Sequence, residues 1–253
     1  YYLVWNLKIS NQLSLPLLSL KILNLSGNTF YDKINEKRLF ANRPNVEELY
    51  LNDCWLAHIC YERKLNKLPY FAREFRVPLD KEFLFGLENL KTLSLVSNRL
   101  ESLDSDMFVF TPNLEKLNLS ENKFVKFDEN FFSHLKLLKV LNLKRNRSYD
   151  KQEFSFLRCL DNLKILNLSV MGLEVLKGGM FEFNSRLESL NLSNNRLKRI
   201  EKETFKSLKQ LRTLDLSLNL FDSLDNEPFY HLNSIMTLDL SFNNVKCWKK
   251  EIF

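Results

Sequence analysis

Residues 187–197 read LESLNLSNNRL, with leucine at the first, fourth, sixth and eleventh positions and asparagine at the ninth. In an extended segment, successive side chains point to opposite faces, so Leu190 and Leu192 face a core while Asn191 faces away from it. The amide of Asn195 both donates and accepts hydrogen bonds, which suits a turn whose backbone groups would otherwise lack partners. The segment therefore predicts a short strand followed by a tight turn.

The same pattern recurs along the chain at a nearly constant interval. The units begin at Leu20, Val46, Leu90, Leu114, Leu138, Leu163, Leu187, Leu211 and Ile235. From Leu90 onward the intervals are 24, 24, 25, 24, 24 and 24 residues, within the roughly 20–29 residues of a leucine-rich repeat. One such unit cannot bury its own apolar face, so the units must stack. The sequence predicts an α/β leucine-rich-repeat solenoid (horseshoe) with a concave parallel β-sheet and about ten repeats.

The domain prediction is a single array over residues 1–253, truncated at both ends because neither end carries a recognisable cap. The long interval between Val46 and Leu90 leaves two alternatives for residues 57–89. They form either an inserted loop or a degenerate repeat with its own strand. In the degenerate repeat the apolar positions would be taken by Leu65, Leu68, Tyr70 and Phe75.

Two columns of side chains follow from the stacking, with positions counted from the first residue of each repeat. Position 9 forms an asparagine ladder of Asn28, Asn98, Asn122, Asn146, Asn195, Asn219 and Asn243. Cys54 and Met171 stand in the same column, and Met171 lacks a hydrogen-bond donor. Position 19 forms an aromatic column of Phe108, Phe132, Phe181, Phe205, Phe229 and Phe253 under the convex side.

Composition excludes several classes of protein. No apolar run approaches the ~18 residues of a membrane-spanning helix. The cysteines at positions 54, 60, 159 and 247 are too scattered for a disulfide scaffold and lack metal-ligand spacing, so their redox state stays open. His134 and His231 both occupy position 21 of a repeat, and no catalytic motif is present. We predict no enzyme, no cofactor and no metal.

The repeats carry a family resemblance. KILNLSGNTF (21–30), KLNLSENKF (116–124), SLNLSNNRL (189–197) and TLDLSFNNV (237–245) resemble repeats of Toll-like receptor ectodomains. The stretch from 141 to 169 is similar to an irregular segment in several vertebrate members. The resemblance implies a ligand-binding, dimerising ectodomain of a single-pass innate immune receptor, in the extracellular space or the endosomal lumen. The alternative is an adhesion or matrix leucine-rich-repeat protein that binds a protein ligand on its concave face, around Tyr50, Asn142 and Asn191.

Charge is distributed unevenly over the predicted solenoid. The concave positions hold nine basic and eight acidic side chains, so the net charge of +6 must lie elsewhere. Position 10 reads Arg99, Lys123, Arg147, Gly172 and Arg196 in successive repeats. We call Arg99, Lys123, Arg147 and Arg196, together with Arg145, the basic row. Stacked at about 4.8 Å, it would suit a nucleic acid or a sulfated glycan. Alternatively these cations only solubilise the surface.

Exposed apolar residues at positions 8 and 10 form a second candidate surface. This apolar edge consists of Val170, Leu218, Leu220 and Phe242, and we expect it to bind a second copy or another protein. Alternatively, further repeats cover it.

N-glycosylation motifs arise wherever Asn-Leu-Ser recurs in the repeat. We expect sugar at Asn24, Asn118, Asn167 or Asn191 if the protein is secreted. Asn146 also lies in such a motif but belongs to the buried ladder, where a glycan does not fit.

Overall fold

The computed structural model describes residues 19–28, 40–41, 43–54, 56, 79, 81–146, 154–224 and 227–248. The strands in chain order are β1 (Ile22–Asn24), β2 (Glu48–Tyr50), β3 (Thr92–Ser94), β4 (Lys116–Asn118), β5 (Val140–Asn142), β6 (Ile165–Asn167), β7 (Val175–Leu176), β8 (Ser189–Asn191), β9 (Arg199–Ile200), β10 (Thr213–Asp215), β11 (Ser223–Leu224), β12 (Thr237–Asp239) and β13 (Cys247–Trp248).

One parallel sheet dominates the described residues. Its order is β1-β2-β3-β4-β5-β6-β8-β10-β12, and each strand pairs in register with the next. The middle residue of every one of these strands is a leucine, and from Leu49 to Leu214 it is completely or almost completely buried. Residues on either side of it alternate to the opposite, concave face. The predicted leucine-rich-repeat solenoid is therefore confirmed.

The sheet also bears on the two alternatives for residues 57–89. Strand β2 pairs directly with β3, with Glu48 opposite Thr92 and Tyr50 opposite Ser94. No place remains in this sheet for a strand between them, which favours the insertion over the degenerate repeat. Residues 57–78, which include the apolar positions of the degenerate repeat, lie outside the described part of the chain.

Phenylalanine rings fill the convex side as predicted. Phe181 stacks on Phe205 with ring centroids 6.2 Å apart, and Phe205 lies 6.1 Å from Phe229. Phe156, at position 19 counted from Leu138, was not among the predicted column but is fully buried and meets Phe132 edge-on at 5.6 Å. Phe253 lies outside the described residues. Short 3-10 helices cover this side at Lys81–Leu84, Phe154–Cys159 and Glu227–Phe229.

The asparagine ladder joins each repeat to the one before it. The Oδ1 atom of Asn122 accepts hydrogen bonds from the backbone amides of Asn98 and Leu100, both at 3.0 Å. Its Nδ2 donates to the carbonyl of Leu95 at 2.8 Å and to that of Leu119 at 3.0 Å. Because these backbone groups are buried, the side chain supplies partners that water cannot.

The two exceptions in the ladder behave differently. The Cys54 thiol donates to the carbonyl of Leu25 at 3.2 Å, and burial raises its pKa to about 11, so it keeps its proton at neutral pH. Met171 is also buried. Its backbone amide donates to Asn195 Oδ1 of the next repeat at 2.9 Å, but its side chain has no donor for the preceding repeat. Among the described residues, the one side chain that donates to the Leu143 carbonyl is Asn146 of the same repeat, at 2.9 Å. The ladder is therefore interrupted at Met171.

We expect the cost of an apolar residue at position 9 to depend on whether an amide is lost. Asn122→Leu leaves two buried amides and two carbonyls short of partners and should lower the free energy of unfolding by about 3 kcal/mol. Met171→Leu exchanges similar apolar volumes and should cost less than about 1.5 kcal/mol. Urea denaturation measures both values, and equal losses would contradict the structural role of the amide.

Candidate functional site

The concave face is neutralised by ion pairs between neighbouring strands. Position 2 carries charges of both signs, and its pairs are Lys21–Glu47 at 3.0 Å, Lys91–Glu47 at 2.7 Å, Lys139–Glu115 at 2.9 Å and Lys164–Glu188 at 2.7 Å. The hydrogen bond from Lys91 is the main reason why the pKa of Glu47 lies below its ordinary value. An anionic polymer lying along position 2 of this face would meet charges that are already paired.

The lateral edge of the solenoid, formed by positions 10 to 13 that follow the ladder, has its own ladder of backbone bonds. The position 10 amide donates to a carbonyl of the preceding repeat: Lys123 to Leu100 at 2.7 Å, Arg196 to Leu173 at 2.8 Å and Leu220 to Leu197 at 2.9 Å. The short pairs β7–β9 and β11–β13 continue this edge. Position 10 side chains are therefore stacked, as the basic row requires.

The structure divides the basic row. Lys123, Arg145, Arg196 and Arg99 are all exposed. Gly172 interrupts the position 10 column, in which Arg196 lies three repeats away from Lys123. Arg147 lies outside the described residues. Arg145 stands at position 8, and the acidic side chain of Glu121 occupies that position in the preceding repeat, bonded to Ser97 Oγ at 3.2 Å. The row thus consists of two smaller cationic groups, one of them next to a carboxylate.

Position 8 adopts a left-handed backbone in every described repeat, which sequence reasoning missed. The φ angles run from 53° at Asp53 to 59° at Glu121 and Val170, with Gly27 at 75°. This region is unfavourable for bulky and especially β-branched residues. Val170, Leu218 and Phe242 nevertheless occupy it, so backbone preference does not explain them.

The apolar edge is largely accessible. Leu218 is 48%, Leu220 43% and Phe242 79% exposed. These three belong to the last two repeats, whereas Val170 is partly buried and separated from Leu218 by the polar Asn194 at the same position. The structure therefore groups three of the four predicted residues and leaves Val170 apart.

A groove of about 550 Å³ runs beside the apolar edge. Its lining residues are Lys198, Leu220, Asp222, Asn244 and Lys246. The groove depends on the stacking of positions 10 and 12 from three successive repeats, so no continuous sequence signal identifies it. It places two ammonium groups and one carboxylate next to exposed leucine.

The glycosylation motifs lie at the ends of concave strands. In Asn118, Asn167 and Asn191, Oδ1 accepts from the backbone amide of the serine two residues on, at 3.0, 2.9 and 2.9 Å. Asn24 forms the same bond to Ser26 at 3.0 Å. Asn191 Nδ2 donates to Asp215 Oδ2 at 3.0 Å. The expected sugars would thus project from the concave face.

No three His, Cys, Asp or Glu side chains among the described residues group as metal ligands would. Cys54 and Cys159 are free thiols. The described segments also contain no helix that is both long and apolar enough to cross a bilayer.

Family comparison agrees with the repeat geometry. The leucine-rich-repeat family pattern matches residues 88–147, 112–169, 161–221 and 185–245. The chain therefore belongs to the leucine-rich-repeat family. No curated protein matches it significantly in sequence.

Solved structures extend the comparison. The matching chain in the structure of the Toll-like receptor 13–ssRNA13 complex is 29% identical to this chain, with a TM-score of 0.68. The match covers 81% of this chain and 26% of that one. The Drosophila Toll–Spätzle complex shares the fold, at 20% identity, a TM-score of 0.71 and coverage of 94% and 32%. A Leptospira interrogans leucine-rich-repeat protein is 28% identical with a TM-score of 0.68, covering 90% and 50%. The resemblance to part of a Toll-like receptor ectodomain is confirmed, and the chain spans about a quarter to a third of those receptor chains.

We expect the bulky residues at position 8 to contribute nothing to folding. Leu218→Asn removes an exposed apolar group and installs a residue that tolerates the left-handed region, as Asn194 does in the preceding repeat. The free energy of unfolding should stay constant or rise by about 1 kcal/mol. The matched change Leu216→Asn, in the core, should cost more than about 3 kcal/mol. A comparable loss from Leu218→Asn in urea denaturation would show that Leu218 is needed for packing.

Proposed function

We propose that this chain is part of the ligand-binding ectodomain of a Toll-like innate immune receptor, located outside the cell or in the endosomal lumen. Ligand held at the lateral edge would bring two ectodomains together, and the signal would pass through parts of the receptor outside this chain. The similarity to Toll-like receptor 13 over 81% of the chain supports this proposal. The repeat provides shape and charge rather than reactive groups, which fits a binding role.

We assign the ligand-binding site to the lateral edge because the charges on the two faces differ. Concave carboxylates at position 2 each meet a lysine within 3.0 Å. Exposed cations on the lateral edge include Lys123, Arg196 and Lys198. A polyanion gains most where cations are not already neutralised, because each phosphate or sulfate that it pairs releases a counterion.

The apolar edge supplies a surface for the second ectodomain or for another protein partner. Leu218, Leu220 and Phe242 lie within two adjacent repeats, and the groove beside them carries Lys198 and Lys246. Apolar groups rimmed by charges are typical of protein interfaces. A partner would cover these side chains, whose exposure the fold itself does not require.

The adhesion or matrix alternative uses the concave face instead. A bacterial leucine-rich-repeat protein matches this chain with the same TM-score of 0.68 as Toll-like receptor 13 does, which supports retaining this alternative. Under that alternative, a protein ligand would contact Tyr50, Asn142 and Asn191, all of which are partly exposed on the concave face.

Salt-dependent binding separates the two faces. We expect heparin and double-stranded nucleic acid to bind the parent, with affinity falling about 40-fold between 50 and 200 mM salt for roughly three phosphate contacts. The double variant Lys123→Glu, Arg196→Glu should abolish this binding. A quadruple variant that also carries Arg99→Glu and Arg147→Glu should likewise not bind. The matched concave reversal, Lys116→Glu with Lys144→Glu, should change it by less than about 3-fold. Equal losses in both double variants, or no binding by the parent, would contradict the lateral site.

Self-association tests the apolar edge. We expect the parent to dimerise, at high concentration or with polyanion present, and Leu220→Asp to remain monomeric because it buries a charge at the interface. Tyr230→Asp is the control, since Tyr230 is 79% exposed but lies on the convex side at position 20. Light scattering measures the mass, and a parent that stays monomeric under both conditions would overturn the dimer.

A further inference from the structure

The contact between the repeats that begin at Leu138 and Leu163, which we call the Met171 junction, lacks the ladder bond. Met171 at position 9 offers no donor to the Leu143 carbonyl and no oxygen to the backbone amide of Asn146. At the other junctions of the described array, the position 9 side chain donates to a carbonyl of the preceding repeat; these side chains are Cys54, Asn98, Asn122, Asn146, Asn195, Asn219 and Asn243. The ladder therefore fails at one junction only among the described residues.

Position 2 places like charges on the two sides of the Met171 junction. Lys139 and Lys164 immediately precede the paired strands β5 and β6. Each lysine forms its ion pair away from the junction, Lys139 with Glu115 at 2.9 Å and Lys164 with Glu188 at 2.7 Å. Because like charges repel, position 2 does not hold these two repeats together.

The aromatic column also stops at the Met171 junction. On one side, Phe156 meets Phe132 at 5.6 Å, and on the other, Phe181 stacks on Phe205 at 6.2 Å. Phe156 and Phe181 are both described and fully buried, yet their rings make no such contact with each other. Aromatic pairs stabilise a fold beyond the area that they bury, and this contribution is absent between the two rings.

Contacts on the convex side still cross the Met171 junction. Asn184, which is fully buried, donates from Nδ2 to the carbonyls of Leu157 at 3.0 Å and Leu160 at 2.9 Å. Two further contacts there join Arg158 to the Phe183 ring and Arg186 to Asn162. The junction is thus held by the convex side and by the backbone bonds of the sheet, while its ladder side lacks a side-chain bond.

We propose that the solenoid flexes at the Met171 junction, which divides the array into two cooperative units. In a repeat protein each repeat contacts only its neighbours, so the array opens first where a junction is weakest. The convex contacts form the pivot, and the ladder side opens. Because Lys123 lies in one unit and Arg196 in the other, flexing changes the distance between the two cationic groups of the basic row. The flexing itself does not require the receptor function proposed above.

Native-state hydrogen exchange measures the opening of each junction through amides at equivalent positions. The amides of Leu143 and Arg145 donate across the Met171 junction, both at 2.9 Å. Those of Leu168 and Val170 occupy the same positions and donate across the next junction, at 2.8 and 3.1 Å. Since the next junction also has the ladder bonds, the protection factors of Leu143 and Arg145 should be at least about 10-fold lower than those of Leu168 and Val170.

The variant Met171→Asn should rebuild the missing part of the ladder, with Nδ2 donating to the Leu143 carbonyl. The protection of Leu143 and Arg145 should then rise about 10-fold, while that of Leu168 and Val170 changes less than about 3-fold. Met171→Leu is the matched control, because it changes the same side chain without adding an amide. It should leave the ratio between the two pairs of amides as in the parent.

Two results would overturn the flexing: equal protection of the two pairs of amides in the parent, or unchanged exchange of Leu143 and Arg145 in a folded Met171→Asn variant. The comparison within the parent decides the matter even if the variant fails to fold. Exchange is measured without ligand, so its outcome is independent of whether a polyanion binds the lateral edge.

Discussion

The side-chain amide at position 9 is the interaction on which the solenoid depends. Each concave strand in the described residues is only three residues long, so its own ladder cannot hold the following turn. Asn195 shows how the amide compensates: Oδ1 accepts from the backbone of Met171 and Leu173, and Nδ2 donates to the carbonyls of Leu168 and, in its own repeat, of Leu192. A single side chain thus satisfies buried groups in two repeats, which keeps the leucines of neighbouring strands in register.

Regularity of the core leaves the surfaces free to vary. The leucines and phenylalanines recur because each must fit the one stacked beneath it, whereas concave and lateral positions contact solvent and tolerate any charge. On the concave face, the varied positions produced paired ions and fixed amides, as at Lys164–Glu188 and Asn167. On the lateral edge they produced exposed cations, and at positions 8 and 10 of the last two repeats they produced exposed leucine and phenylalanine. The same backbone therefore carries two faces of different chemistry.

Periodicity made most of the fold predictable, because a spacing of 24 residues determines which side chains stack. The strands, the asparagine ladder and most of the aromatic column followed directly. Phe156 stands at position 19 counted from Leu138, so the same spacing identifies it as a member of the aromatic column. Residues 57–89 were ambiguous because scattered apolar residues fit a loop or a strand equally. The site was less predictable. The left-handed backbone at position 8, the bond from Asn191 to Asp215 and the groove beside Leu220 depend on contacts between repeats that the sequence pattern alone does not show.

Lysine footprinting would test the central claim, that an anionic ligand is held at the lateral edge and not on the concave face. Both surfaces carry lysines, with Lys123 and Lys126 on the edge and Lys116 and Lys144 on the concave side. The protein would be acetylated with and without saturating double-stranded nucleic acid, and the modification of each lysine quantified by mass spectrometry. Protection of Lys123 and Lys126, with Lys116 and Lys144 unchanged, is the predicted result. Protection of the concave lysines while the edge stays reactive would contradict it.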